Sequence, residues 1–401
     1  MNGTGFTARG WTMLAAGGAL VVTAVLAGQR DLLWPGIFLA AIPPVGVFVA
    51  LTAGRLEVRR AVHPADVPVG QPATCTLQLH KPRPGPGMVT TVSDTVPPAL
   101  GDDPPIAVLG FGWGRSTRQL SYEVRPRWRG RHLIGPLSRH STDPFGVARH
   151  RRVLHGRTDL IATPRVYPLP ALNQAAGVGS ATESALPRTT LVGTDDVLIR
   201  GYRPGDDVRR IHWRSTARTG ELMVRREELA WDPGVVVIID NRSRCFQTTP
   251  PDPRLEWLVS AAASIVLHLQ ASGYAATLVD TSGRVLRPEP GDSGRAVLLY
   301  LAELRTSSAP TLDRALAGTH LRSAEDVMIA LLGGLDAADA AALHQVGRDR
   351  RTRWAIVLPQ GDRDPVRPAS GLREAGWVLE QATAETPIAE VWESLGRGGS
   401  R

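Results

Sequence analysis

Apolar residues dominate two long stretches near the start of the chain. Neither the stretch from Trp11 to Ala27 nor the one from Leu32 to Ala53 contains a charged residue. As an α-helix the second stretch would be about 33 Å long, which is enough to cross the hydrocarbon core of a bilayer. The short segment from Gly28 to Asp31 separates them and suits a tight turn. The pattern predicts a transmembrane helical hairpin over residues 1–54.

Two other interpretations of this region remain open. It could be a cleaved signal peptide followed by one span, although only Arg9 precedes the first stretch and the second stretch would still remain as an anchor. It could also be a buried hairpin of a soluble domain. For the two-span reading, Arg9, Arg55, Arg59 and Arg60 flank the hairpin, whereas its connecting loop carries one arginine and one aspartate. The positive-inside rule then predicts a cell (inner) membrane protein whose later domains face the cytoplasm.

Residues 55–165 show the alternation of apolar and polar positions that is typical of half-buried strands. The strand candidates are residues 56–62, 74–80, 120–124 and 131–134. Clusters of proline and glycine separate them, so the pattern predicts a β-sandwich-like domain. A glycine-rich segment, residues 110–114, is interpreted as a hairpin turn. Residues 166–200 are rich in proline, alanine and serine and are predicted to be a linker.

Residues 231–401 alternate between short apolar runs and segments of helical periodicity. The predicted strands are residues 235–240, 275–279, 327–332, 354–358 and 377–379. The predicted helices are residues 253–272, 293–304, 336–348 and 387–395, the first of them with Asp252 as its N-cap. This alternation predicts an α/β doubly wound domain with a parallel sheet and helices on both faces.

Residues 201–230, here called the signature segment, combine unusual charge density with aromatic residues. Between Gly201 and Arg218 lie a Pro-Gly turn, two carboxylates, five arginines, a histidine and two aromatics. The pattern predicts a helix over 208–217, capped by one of the two aspartates and ended by Thr219 and Gly220. One face of that helix would place Asp207 beside Arg210 and Arg214.

The chemistry of the signature segment has several possible interpretations. It could be an ion-pair lattice that docks the linker onto the next domain, or a surface that binds an acidic partner. A hydrolase using Asp206, Asp207 and His212 is the alternative, and the two aspartates alone are a weak indication of a metal site. No catalytic residue is assigned. The candidate partner-binding residues are Tyr202, Gly205, Asp206, Asp207, Arg209, Ile211, His212, Trp213, Ala217 and Arg218.

The signature segment resembles that of the bacterial domain of unknown function 58 family. The shared pattern is Tyr-x-x-Gly-Asp-Asp-x-Arg-x-Ile-His-Trp-x-x-Thr-Ala-Arg, which runs here from Tyr202 to Arg218. The resemblance covers about residues 195–280. It implies a membrane-anchored protein with a von Willebrand factor A-like domain, and association with a MoxR-type AAA+ ATPase. An interaction or adaptor protein is therefore the expected function, and an enzyme is the less favoured one.

The same resemblance raises the question of a metal. The von Willebrand factor A fold often carries an adhesion site, Asp-x-Ser-x-Ser, after its first strand, and the matching positions here are Asp240, Arg242 and Arg244. A guanidinium cannot ligate Mg²⁺ and would repel it. Asp280 follows the next strand, but one carboxylate cannot restore the site alone. We therefore expect a degenerate site at Asp240 with no metal and no cofactor.

Composition bears on which classes of ligand and partner the chain is expected to bind. The formal net charge is +8, and Lys81 is the only lysine. A P-loop, which needs a lysine in a glycine-rich turn, is absent from the sequence. Net charge alone is a weak basis for nucleic-acid binding, so neither nucleic acid nor a small-molecule substrate is predicted. Cys75 and Cys245 lie in different predicted domains, which favours free thiols in a reducing compartment.

Overall fold

The computed structural model forms two compact units. The sheet-rich unit comprises Met1–Arg165 with Leu298–Leu304, and the α/β unit comprises Val166–Val297 with Arg305–Arg401. The residues that the structure describes are 3–52, 56–82, 88–102, 104, 106–112, 114–143, 145–154, 156–171, 197–201, 211, 213–227, 234–247, 251–288, 293–319, 325–348, 350, 352–359 and 366–398.

Two apolar helices open the sheet-rich unit, α1 (Ala8–Leu26) and α2 (Arg30–Thr52). The hydroxyl of Thr7 caps α1 by accepting a hydrogen bond from the Gly10 amide at 3.2 Å. The two helices cross closely at Gly17, where an added Cβ would lie 2.6 Å from the Ala40 nitrogen. Both helices are long and apolar enough to cross a membrane. The prediction of two apolar N-terminal helices is confirmed.

The rest of this unit is mainly β-strands, which form three sheets among the described residues. The strands are β1 (Gly3–Phe6), β2 (Glu57–His63), β3 (Asp66–Pro68), β4 (Ala73–Lys81), β5 (Met88–Asp94), β6 (Ala107–Phe111), β7 (Ser116–Val124), β8 (Gly130–Ile134), β9 (Leu137–Thr142), β10 (Ala148–Leu154) and β11 (Thr158–Thr163). The sheet orders are β1-β10-β9-β5-β6, β3-β11-β8 and β2-β4-β7. A sheet-rich region after the helices is therefore confirmed.

Strand β4 shows how the alternating sequence builds the core. Its residues Cys75, Leu77 and Leu79 are buried, and the residues between them are more exposed. Leu77 and Leu79 pack with Phe111 and Leu137 of the first sheet. Cys75, on the same face of β4, packs in a second cluster with residues of β8 and β11. The alternation on one central strand thus fills the space between sheets.

Arg60, one of the arginines that follow the hairpin in the sequence, is buried: its side chain is 4% exposed and its Nη2 lies 2.6 Å from Asp94 Oδ1. Tyr122 donates a hydrogen bond to the same carboxylate at 2.6 Å, so Arg60 belongs to a buried network. The interpretation of the glycine-rich segment, residues 110–114, as a hairpin turn is wrong. The strands that it joins, β6 and β7, lie in different sheets.

The α/β unit contains a parallel sheet flanked by helices. Its first elements are β12 (Val197–Gly201), α3 (Trp213–Thr219) and β13 (Met223–Glu227). These are followed by β14 (Gly234–Ile239), α4 (Pro253–Ala271), β15 (Ala275–Asp280), β16 (Val285–Leu286), α5 (Arg295–Glu303), α6 (Asp313–Thr319), β17 (Glu325–Leu332), α7 (Ala337–Gly347), β18 (Thr352–Val357), α8 (Val366–Glu374), β19 (Val378–Gln381) and α9 (Ile388–Gly398). Part of α5 belongs to the sheet-rich unit.

The main sheet has the order β16-β15-β14-β17-β18-β19, and every pairing except that of β16 is parallel. On one face, Val236 and Met328 pack in a core with residues of α6, α7 and α8. On the other face, Trp354 of β18 meets Trp392 of α9 edge to face, with ring centroids 5.4 Å apart. The predicted parallel sheet with helices is confirmed.

The described start of the predicted linker is attached to the α/β unit. The Tyr167 amide donates to the Ser264 hydroxyl of α4 at 2.9 Å, and the Trp392 indole donates to the Pro170 carbonyl at 3.0 Å. Leu169 is buried. The last residues of the predicted linker, 197–200, belong to strand β12. Residues 172–196 lie outside the described part of the chain, so for them the linker stays a prediction.

Candidate functional site

The candidate site lies at the carboxyl end of the central strand β14. All six residues of this strand are buried, and the chain continues directly into Asp240, Asn241 and Arg242. The Asp240 amide donates to the Leu331 carbonyl of β17 at 2.8 Å, which fixes the start of the turn. In open α/β sheets this edge is where ligands commonly bind. Its side chains therefore decide what the unit can do chemically.

Arg242 is held between two carboxylates. Its Nε and Nη2 donate to the two oxygens of Asp240, both at 2.8 Å. Its Nη1 and Nη2 donate to the two oxygens of Asp339, at 2.6 and 3.0 Å. Both pairs are bidentate, which is the strongest geometry for a guanidinium and a carboxylate. Burial alone would lower the pKa of Arg242, but the bonds to Asp240 and Asp339 outweigh it and raise the pKa.

A second arginine extends this network to the surface. Arg244 Nη1 donates to Asp336 at 2.8 Å, and its Nη2 donates to Asp339 at 3.1 Å. The side chains of Arg244 and Asp336 are each 45% exposed, whereas that of Asp339 is 4% exposed. We call Asp240, Arg242, Arg244, Asp336 and Asp339 the arginine clasp.

The start of α7 supplies the acidic half of the clasp. Asp336 is the N-cap and accepts from the Asp339 amide at 2.8 Å, while Asp339 accepts from the Asp336 amide at 3.4 Å. Burial acts to raise the pKa of Asp336, but the Asp339 amide and the Arg244 guanidinium outweigh it, so the pKa is lowered. The carboxylates therefore stabilise the helix terminus as well as the arginines.

Further donors complete the surroundings of Asp240. The Gly333 amide donates to it at 3.2 Å, and the thiol of Cys245 lies 3.6 Å from the same oxygen. Burial and the negative charge of Asp240 raise the pKa of Cys245 to about 12. Position 333 has no room for a side chain, because a Cβ added to Gly333 would collide with the ring of Phe246.

The neighbouring turn uses its polar groups locally. Asn241 accepts a hydrogen bond from the Thr281 amide at 3.1 Å and donates to the Arg305 carbonyl at 2.8 Å. Asp280 accepts from the Ser282 amide and hydroxyl, at 2.9 and 2.6 Å. The carboxylate that the sequence suggested as a possible neighbour of Asp240 is thus bound by its own turn.

This arrangement sets what the site can bind. The space between Asp240 and Asp339 is filled by the guanidinium of Arg242. Within the described residues, no group of three or more histidine, cysteine, aspartate or glutamate side chains could hold a metal ion. The clasp is therefore built as a fixed internal ion-pair network. That this unit does not bind Mg²⁺ stays a prediction.

Sequence reasoning found only part of the clasp. Asp240, Arg242 and Arg244 were singled out only as positions that match the adhesion-site motif of the resembling fold; their ion pairing, and the part played by Asp336 and Asp339, were not predicted. The two acidic residues lie far along the chain, and only their place at a predicted helix start after a buried strand gives a signal. Cys245 and Gly333 were missed for the same reason, since their roles depend on contacts between distant turns.

The signature segment is described only in part. Tyr202, Gly205, Asp206, Asp207, Arg209 and His212 lie outside the described residues, so the hydrolase and metal alternatives stay untested predictions. Of the others, Ile211 is partly buried, Ala217 and Arg218 are exposed, and Trp213 is 68% exposed. The predicted helix over 208–217 is described as α3 from Trp213 to Thr219.

The end of α3 is fixed by hydroxyl groups and a glycine. Thr216 accepts a hydrogen bond from the Met223 amide at 3.0 Å, and Thr219 donates to the Ser215 carbonyl at 3.0 Å. Gly220 has a φ of +77°, a conformation that favours glycine. The chain then returns as β13, which pairs antiparallel with β12. The predicted end of the helix at Thr219 and Gly220 is confirmed.

Comparison with known proteins bears on this part of the chain. Residues 198–332 match the family described as "Protein of unknown function DUF58". The DUF58 resemblance that the signature segment indicated is therefore confirmed over this range, which extends beyond the signature through β17. The DUF58 match includes Asp240, Arg242 and Arg244 of the clasp but ends before Asp336.

A distant relative and two solved structures are also similar. The chain is 21% identical over 334 residues to the uncharacterized protein YeaD of Bacillus subtilis (strain 168), covering 79% of this chain and 80% of that protein. The CARDB domain of the PF1109 protein from Pyrococcus furiosus is 16% identical, with a TM-score of 0.20, over 27% of this chain and 87% of that one. A superoxide reductase (neelaredoxin) from Ignicoccus hospitalis is 10% identical, with a TM-score of 0.18, over 30% of this chain and 91% of that one. Likenesses this weak support no conclusion about fold or function.

Proposed function

We propose that this chain is a membrane-anchored interaction or adaptor protein that works with a MoxR-type AAA+ ATPase. The observation that carries the proposal is the arginine clasp, because the edge of the sheet where an α/β domain would bind a ligand is filled by its own side chains. A unit whose ligand-binding edge is filled in this way suits a role in binding another protein through a different surface. The finer fold assignments, a β-sandwich and a von Willebrand factor A-like domain, are part of the same proposal.

The membrane anchor is the helical hairpin of α1 and α2. Large apolar side chains point outward from both helices, among them Leu26 at 83% exposure and Trp34 at 73%. Lipid tails would cover such a surface. Arg9 and Arg59 are exposed and flank the hairpin, and by the positive-inside rule this supports a cytoplasmic location for the sheets of the first unit and for the α/β unit.

The partner-binding surface is the described part of the signature segment. Trp213 begins α3 with its ring in solvent, and Arg214 and Arg218 lie exposed along the same helix. Tryptophan and arginine are the residues that most often dominate binding energy in protein interfaces. The positive charges favour an acidic surface on the ATPase.

The test uses the full chain in lipid nanodiscs and a purified MoxR-type ATPase, with binding measured by interferometry. We expect Trp213→Ala and Arg218→Glu each to weaken binding at least tenfold. Arg157→Glu, which changes an exposed arginine of the sheet-rich unit, is the matched control and should leave the affinity unchanged. Equal losses in all three variants would refute the assigned surface. No binding by the parent protein would refute the proposed partner.

A further inference from the structure

The turn between β9 and β10 packs against both apolar helices. We call it the β9–β10 loop; its described residues are Asp143 and Phe145–Val147. An added Cβ at Gly10 of α1 would collide with the Val147 carbonyl, and one at Gly46 of α2 would lie 2.5 Å from the Val147 side chain. Glycine at both positions allows the helices to touch this loop. These contacts fix the position of the β9–β10 loop along both helices.

Hydrogen bonds hold the loop rigidly at that level. The Thr7 amide donates to the Val147 carbonyl at 2.9 Å, and the Thr7 hydroxyl donates to the Gly146 carbonyl at 2.7 Å. Inside the loop, Asp143 accepts from the amides of Phe145 and Ala148, at 2.9 and 2.6 Å. Asp143 and Val147 are buried, yet Phe145 is 60% exposed. The loop thus presents one aromatic ring outward from a fixed turn.

The length of the helices indicates how deep this loop would lie relative to the bilayer. From Gly10 to the end of α1, and from the start of α2 to Gly46, each helix has about 17 residues, which is about 25 Å of helix. The hydrocarbon core of a bilayer is about 30 Å thick. Helices that cross the bilayer therefore bring Gly10 and Gly46, with the loop between them, to the hydrocarbon boundary.

The side chains around the loop are those found at a membrane interface. Trp11 is 59% exposed and meets Phe6 edge to face, with ring centroids 5.3 Å apart. Three exposed arginines lie nearby: Arg9 at the start of α1, and Arg149 and Arg151 on one face of β10. At about 3.4 Å per strand residue, Arg149 is within about 7 Å of Val147. Aromatic rings at the boundary and cations just outside it are typical of membrane contact.

We propose that the β9–β10 loop and these arginines form a membrane-docking surface. Phe145 inserts at the hydrocarbon boundary, and Arg9, Arg149 and Arg151 contact the headgroups of anionic phospholipids. This inference rests on the proposed membrane anchoring. It adds that the sheets of this unit contact the bilayer surface directly, in addition to being anchored by the hairpin.

Spin labels on the full chain in liposomes test the proposal. For each label, the measured quantity is the ratio of its collision rate with oxygen to its collision rate with a water-soluble nickel chelate. This ratio should be several-fold higher for a label at Phe145→Cys than for a label at Val108→Cys. Val108 is 67% exposed and lies on β6, at the opposite edge of the same sheet from β1. The native cysteines, Cys75 and Cys245, are buried and are replaced by alanine beforehand.

Two further labels separate this inference from the anchoring proposal. A label at Val22→Cys, on the exposed face of α1, reports whether the hairpin is in lipid. If Val22 is in lipid but Phe145 is as accessible to the nickel chelate as Val108, the docking surface is refuted while the anchor stands. If Val22 is also in water, the anchor itself fails. A label at Arg149→Cys should be relaxed by nickel-chelating lipid headgroups, and the absence of that effect would equally overturn the proposal.

Discussion

Replacing Arg242 by alanine should destabilise the α/β unit strongly. The substitution leaves two buried carboxylates, Asp240 at 0% and Asp339 at 4% side-chain exposure, without the cation between them. Removing one partner of a buried ion pair costs about 3–5 kcal/mol of unfolding free energy. Asp240 keeps its bond from Gly333 and Asp339 keeps Arg244, so we expect a loss near 3 kcal/mol, at the lower end of that range.

The assay is thermal unfolding of the full chain in detergent, followed by tryptophan fluorescence. Trp354, Trp377 and Trp392 are buried in the α/β unit and report on it. For a unit of this length each kcal/mol moves Tm by about 2–4 °C, so Arg242→Ala should lower Tm by about 6–12 °C. Arg242→Lys keeps the charge but cannot form either fork, and its loss should be intermediate.

The matched control is Arg244→Ala, which removes the half-exposed arginine of the same clasp. Ion pairs of exposed groups contribute about 0–1 kcal/mol, so its Tm should fall by no more than a few degrees. A fall in Tm for Arg242→Ala that is no larger than the fall for Arg244→Ala would refute this expectation. That result would mean that the buried fork contributes no more than a surface pair.

Titrating the full chain with Mg²⁺ should show no saturable binding in the micromolar range, and binding that is abolished by Asp240→Ala would contradict the guanidinium-filled site. A reporter fused after Arg401 should be active only if it functions in the cytoplasm, so activity of a periplasm-only reporter would disprove the orientation. The thiol of Cys245 should react slowly with Ellman's reagent at pH 8 in the folded protein and quickly after denaturation. Because folding raises its pKa from 9.0 to about 12, the thiol's stabilising contribution is complete below pH 9 and is lost as the pH rises toward 12; a Cys245→Ala variant with the same loss of stability over that interval would refute the assignment.

The sequence predicts elements well where the signal is local. The uninterrupted apolar stretches gave α1 and α2, and the buried run before Asp240 gave the central strand. Helix α8 was not predicted because it is short and contains Pro368 and Gly371, which do not favour helix interiors. The segment at 110–114 was misinterpreted because consecutive strands usually pair, whereas here the chain passes to another sheet.

The candidate site was harder to predict because its partners are distant in sequence. Motif spacing relates residues within one or two turns, so it singled out Asp240 and Arg242 as motif positions but predicted neither their ion pair nor the contact with Asp339. The same limit applies to Arg60, which follows the hairpin in the sequence but pairs with Asp94 of a different strand. The order of strands in the sheet decides which charged residues meet. That order is a property of the whole unit and cannot be read from a short stretch of sequence.

The guanidinium of Arg242 is a cation that cannot leave. A bound metal ion comes and goes with its concentration in the surroundings, and chelators or competing ions can remove it. An arginine is attached to the backbone and stays charged over the whole physiological pH range. The α/β unit should therefore keep one conformation at this edge whether divalent ions are scarce or abundant. Any response of the protein to divalent ions would have to arise at another place in the chain.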